Sequence, residues 1–149
     1  MCSSDLYPLE SFGPTPAIPQ GTGGYQIGAG LNVEPIMQTV AVTSATGDVT
    51  LTAAQMAGGI VSCNKGSDAG LTVTTATAAL IDAAFPSMKV GSAFELTITN
   101  NNNSGASSTV TVTGGTGVTV VGSGTVARYG GATYKFVKTG TAAYSAYLK

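Results

Sequence analysis

Histidine and tryptophan are absent from this chain, and charged residues make up only 9% of its 149 positions. Without histidine there is no imidazole to act as general base, to ligate a metal, or to activate a serine or cysteine nucleophile. Most enzyme classes drop out, and no catalytic residue, cofactor or metal is expected. The seven carboxylates, Asp5, Glu10, Glu34, Asp48, Asp68, Asp82 and Glu95, are dispersed along the chain, and no spacing singles out a pair for glycoside hydrolysis. The six basic residues are equally scattered and the net charge is −1, which leaves no electrostatic footprint for DNA or RNA. No apolar run approaches the roughly 20 residues of a membrane span. Met1-Cys2-Ser3-Ser4-Asp5 has neither the basic nor the apolar region of a signal peptide, so a non-secreted protein with no membrane partner is expected. Cysteine occurs twice, at Cys2 and Cys63. A disulfide between them is open but not implied, and Cys63, in Ile60-Val61-Ser62-Cys63, reads as a small buried apolar residue.

A surface poor in charge must be covered by Thr, Ser, Asn and Gly. It lacks the self-repulsion that keeps monomers apart and desolvates at lower cost than a charged one. Contact with other protein is the functional reading; a β domain with a neutral coat is the alternative.

Five of the six prolines lie in residues 1–35, which also hold the glycine-rich run Gly21-Thr22-Gly23-Gly24-Tyr25. Neither a helix nor a central strand suits that composition, so residues 1–35 are expected to form an extended arm preceding a domain at 36–149. Tyr7, Leu9, Phe12, Ile18, Tyr25 and Ile27 are its candidate partner-binding anchors. The arm either lies over a neighbouring subunit or folds back on its own domain.

From residue 36 onward the pattern is β. Val40 and Val42 alternate with Thr39, Ala41 and Thr43 in a first strand over Ile36–Thr43, and Val49-Thr50-Leu51, Ile60–Cys63 and Leu71–Thr75 are further strands. Thr52-Ala53-Ala54-Gln55 has capping-box spacing ahead of a short helix, and Thr77 caps a second over Ala78–Phe85, with Ala78, Ile81, Ala84 and Phe85 on one face. Pro86 stops it. Phe94, Leu96 and Ile98 alternate with Glu95, Thr97 and Thr99, and Asn100–Ser108 is expected to be an exposed polar tip. Gly114-Gly115-Thr116-Gly117 is expected to join Thr109–Thr113 to Val118–Val121 as a hairpin, and Thr139-Gly140-Thr141 to join Ala132–Lys138 to Ala143–Leu148. Too few helices are present for repeated crossovers. The expected fold is therefore mainly β, an antiparallel β-sandwich or jelly-roll-like domain with one or two short helices. Asn64-Lys65-Gly66-Ser67-Asp68 offers oxygens to calcium but fits no EF-hand loop and reads as a turn. The outward Thr-x-Thr rows at Thr72/Thr74, Thr97/Thr99 and Thr109/Thr111/Thr113 suit a solvated strand face better than carbohydrate or ice binding.

Leu71–Lys149 carries a resemblance. Its Thr-x-Thr-x-Ala pattern, the helix ending in Phe85-Pro86, and Val90-Gly91-Ser92-Ala93-Phe94-Glu95-Leu96 are similar to a β domain that recurs in virion structural proteins of tailed bacteriophages. Thr116–Gly122, Ala132–Phe136 and Ala143–Tyr147 continue it. The resemblance implies a non-enzymatic protein made in the host cytoplasm and located in the virion. Its implied role is a capsid decoration or cement protein, a homotrimer bound to the major capsid protein. A tail-fibre or baseplate module binding a host-surface glycan is the alternative from the same context. A carbohydrate-active enzyme using the dispersed carboxylates is the alternative from another class.

Overall fold

Alternation of β-branched and polar residues makes strands because successive side chains leave opposite faces of the backbone, so one row can enter a core while the other meets water. The computed structural model describes residues 39–149, and there this pattern produces ten strands and two short helices. In chain order they are β1 Ala41–Ala45, β2 Val49–Thr50, α1 Ala53–Ala57, β3 Gly59–Cys63, β4 Leu71–Thr74, α2 Ala78–Ala84 and β5 Ala93–Asn100. Then come β6 Val110–Thr113, β7 Val118–Val121, β8 Thr125–Val126, β9 Gly131–Gly140 and β10 Ala143–Leu148.

The mainly β expectation holds, but the sheets are mixed rather than antiparallel. One has six strands in the order β1-β3-β5-β9-β10-β7, the other four in the order β2-β4-β6-β8. The chain alternates between them from β1 to β8, so like strands stack in parallel: Val42 pairs with Ile60 and Ile60 with Thr97, while Val49 pairs with Val73 and Val73 with Val112. Parallel neighbours need a crossover of a dozen or more residues, usually helical. Here a strand of the opposite sheet supplies much of each crossover, which is why a shortage of helices did not force antiparallel pairing. Antiparallel pairing is confined to β9 with β5, β9 with β10, and β8 with β6.

Both sheets send inward rows into one core. Val61, Cys63, Leu96, Ile98, Tyr134, Phe136, Tyr144 and Ala146 enter from the larger sheet, and Leu71, Val73, Val110, Val112 and Val126 from the smaller. Each large apolar side chain so removed from water contributes about 1.5–3 kcal/mol. The Phe94 and Phe136 rings stack with centroids 5.1 Å apart, as their register pairing demands. Helix α1 begins with the expected capping box, Thr52 with Gln55, and buries Met56; Thr77 caps α2, which buries Ala78 and Ile81. Ala84 is exposed and Phe85 is the C-cap, so the buried face of α2 is shorter than its apolar spacing suggested.

Three local expectations are corrected. Of the strand expected over Ile36–Thr43, residues 36–38 lie outside the described ones; the first described strand begins at Ala41, and Val40 and Val42 are 46% and 60% exposed, because β1 is the last described strand at its sheet edge, while Ala45 points inward. The glycine run 114–117 is no hairpin, since β6 and β7 belong to different sheets. It is a close-packed crossing: a Cβ on Gly115 would lie 2.6 Å from the Thr75 carbonyl oxygen, and the Gly115 N–H donates to Thr75 Oγ1 at 2.8 Å. Finally, the Asn-Ser segment from the end of β5 is only partly an exposed tip: Asn100, Asn102 and Ser108 are buried, while Asn101, Asn103 and Ser107 are exposed. The β9–β10 hairpin forms as expected, with an irregularity in register between Lys138 and Gly140 and Ala142 in a left-handed conformation.

Candidate functional site

The candidate anchors Tyr7, Leu9, Phe12, Ile18, Tyr25 and Ile27 lie outside the described residues. Within them, polar side chains gather in three places.

The first is the junction behind β5. Asn100 continues the inward parity of Leu96 and Ile98, so the sheet carries an amide into the core. Its Nδ2 donates to the carbonyls of Ser108 (2.7 Å) and Val126 (3.2 Å), and its Oδ1 accepts from the Asn102 N–H at 3.1 Å. Asn102 Nδ2 donates to the Ser67 carbonyl, and the Ser107 N–H donates to Asp68 Oδ1. The 64–70 loop, weighed above for calcium, thus spends these oxygens on protein donors, with Asn64 Oδ1 accepting from Gly66 and the Gly70 carbonyl accepting from Lys65. Among the described residues no group of three or more His, Cys, Asp or Glu side chains is placed to hold a metal ion.

The second centre is Asp82 on α2. Its carboxylate accepts from Lys138 Nζ at 2.7 Å, the Ala142 N–H at 2.8 Å and Tyr144 Oη at 2.8 Å. The Lys138 bond, then the Ala142 N–H and Tyr144, hold its pKa down at about 2. Burial, reinforced by the bond to Asp82, pushes the Tyr144 phenol up to about 12. Neither group titrates near neutrality, so neither suits proton transfer there. The arrangement staples α2 to the β9–β10 hairpin. Cys63 is fully buried, and burial raises its thiol to about 11, which keeps it from the nucleophilic thiolate form.

The third place is the outer face of the six-stranded sheet. Thr97 and Thr133 face each other across β5 and β9 with hydroxyls 2.9 Å apart. Beside them Glu95 accepts from Lys149 at 2.9 Å, with Lys135 at 3.9 Å. The Lys149 bond holds the Glu95 carboxyl below its ordinary range. Glu95, Thr97, Thr133 and Lys149, with Thr125, Ala132 and Leu148, border an open groove of about 640 Å³. The same face continues through Thr99, Ser62, Ile60 and Val42 to the β1 edge. The threonine row was legible from alternation. The groove was not, because it needs β5, β9 and the end of β10 side by side. A smaller apolar cleft of about 240 Å³ opens between Phe85, Met88 and Phe94.

No helix among the described residues is long and apolar enough to cross a membrane. No protein-family model, curated protein or solved structure matches the chain, and the functional reading rests on its own residues.

Proposed function

We propose that this is a non-enzymatic virion structural protein of a tailed bacteriophage, a trimeric decoration or cement protein that binds the major capsid protein on the outer capsid surface and stabilises it. The observation that supports this most is the outer face of the six-stranded sheet. From Val42 through Ile60, Ser62, Thr97, Thr99 and Thr133 it presents hydroxyls and β-branched side chains, and its charges, Glu95, Lys135 and Lys149, cluster together. Such a face gives up its water at low cost and suits symmetric contact between copies or with a capsid lattice. The sequence resemblance over Leu71–Lys149 supports the virion context, and the proline-rich composition of residues 1–35 suits an attachment segment.

Sedimentation of the purified chain at micromolar concentration tests self-association, with trimers expected and a monomer counting against a self-assembling cement. Labelling the protein on particles tests location: labels over the head support the proposal, and labels confined to the tail overturn it. Removing residues 1–35 is expected to leave the melting midpoint unchanged while weakening attachment to particles. A truncated chain that melts much earlier would assign the arm to its own domain.

A further inference from the structure

Helix α2 has no polar outward face. Ala78 and Ile81 enter the core and Asp82 turns to Lys138 and Tyr144, which leaves Ala79, Leu80, Ala83 and Ala84 exposed. A helix that is apolar on every side is ordinarily covered on every side. Leu80 is 58% exposed, and Val90, in the turn between α2 and β5, is 68% exposed. At the end of the same helix opens the apolar cleft of about 240 Å³ that Phe85, Met88, Ala93 and Phe94 line. Charge lies elsewhere. Asp48, Lys65, Asp68 and Arg128 sit in loops at the opposite ends of the strands, and Glu95, Lys135 and Lys149 are grouped on the outer sheet face. With Asp82 and Lys138 joined to each other, Lys89 is the one exposed charge at the helix end among the described residues.

A projecting leucine and an apolar recess on the same end of one chain select an occupant. Such a patch is exposed as soon as the chain folds, before it reaches any capsid, and the partner present at that moment is another copy. Around a threefold axis every contact is heterologous, so a trimer needs two different surfaces of the chain that match each other. Leu80 and the cleft are such a pair: the recess is large enough for a leucine side chain and too small for a helix or strand. We infer that in the trimer proposed above Leu80 of each copy enters the Phe85, Met88 and Phe94 cleft of the next, with Val90 at its border and Lys89 in the wet rim. The inference rests on the trimeric reading, and it leaves the outer sheet face to the capsid.

The test is sedimentation velocity of the full chain over micromolar concentrations, with cross-linking as the second measurement. The parent is expected to be trimeric. Leu80→Asp changes an exposed position, so it should keep the parent's circular dichroism spectrum yet need a concentration higher by about a hundredfold or more to associate. Val42→Asp, equally exposed at the β1 edge, should remain trimeric. In a Cys2→Ser background, co-expressed chains carrying Leu80→Cys and Ala93→Cys should cross-link to each other under mild oxidation, and neither should cross-link when expressed alone. A trimeric parent whose Leu80→Asp variant stays trimeric, a missing mixed cross-link, or Leu80→Cys chains that cross-link among themselves would each overturn this interface and leave the trimer standing. A monomeric parent would overturn both.

Discussion

Replacing Asn100 by alanine tests whether the polar junction behind β5 holds the two sheets in place. Three hydrogen bonds disappear together: two to the carbonyls of Ser108 and Val126 and one from the Asn102 N–H. Asn100 is 1% exposed, so water reaches the stranded groups only if the core opens. A typical buried bond is worth about 1 kcal/mol net, and an orphaned buried partner costs about 1–3 kcal/mol. The loss is therefore expected to be about 3 kcal/mol, roughly a 10 °C drop in melting midpoint for a domain of this size. Asn101 is the control. Its exposed amide bonds only the Ser62 hydroxyl, and its alanine variant should change stability by less than about 0.5 kcal/mol. Urea and thermal unfolding, monitored by circular dichroism, read both. Asn100→Asp adds a check of sign. A carboxylate facing two carbonyls has its pKa raised in the folded state, so the variant should lose stability as pH rises above the unfolded value of about 4. If Asn100→Ala costs no more than Asn101→Ala, the junction is a solvated loop and does not hold the two sheets in place.

Three further outcomes follow from single contacts. Gly115→Ala should destabilise by about 2 kcal/mol or more, because its Cβ would lie 2.6 Å from the Thr75 carbonyl oxygen, whereas Gly47→Ala, with nothing within 4 Å, should be neutral or slightly stabilising; urea midpoints decide. Asp82, with its folded pKa lowered to about 2, contributes stability that is present above its unfolded pKa of about 4 and is lost as pH falls toward 2, so the gap in urea midpoint between the parent and Asp82→Asn should be wide at pH 6 and narrow toward pH 2. In a Cys2→Ser background, Cys63 should resist a thiol reagent at pH 8 while the protein is folded and react at once in denaturant; fast reaction of the native protein would contradict its burial.

The parts of this protein that its sequence determined are those set by near neighbours. Period-two alternation is a property of a few consecutive residues, and it placed the strands from Gly59–Cys63 onward within a residue or two, apart from Thr125–Val126, which is too short to show alternation and was not expected. The caps Thr52 and Thr77 act within three residues, and the β9–β10 hairpin closes through a short turn, so each was readable locally. Which strand lies beside which is a long-range choice. β6 and β7 look like a hairpin in one dimension, but Gly115 makes its close contacts with Thr75 and Ala76, some 40 positions away, and that packing sends β7 to the other sheet. The asparagine run looked solvated because its composition is that of a loop. Asn100 nonetheless shares the inward parity of Leu96 and Ile98, and only partners on Ser108 and Val126 make its burial tolerable. The groove has the same origin: Glu95, Thr133 and Lys149 come from three separate stretches, and sheet register alone brings them together.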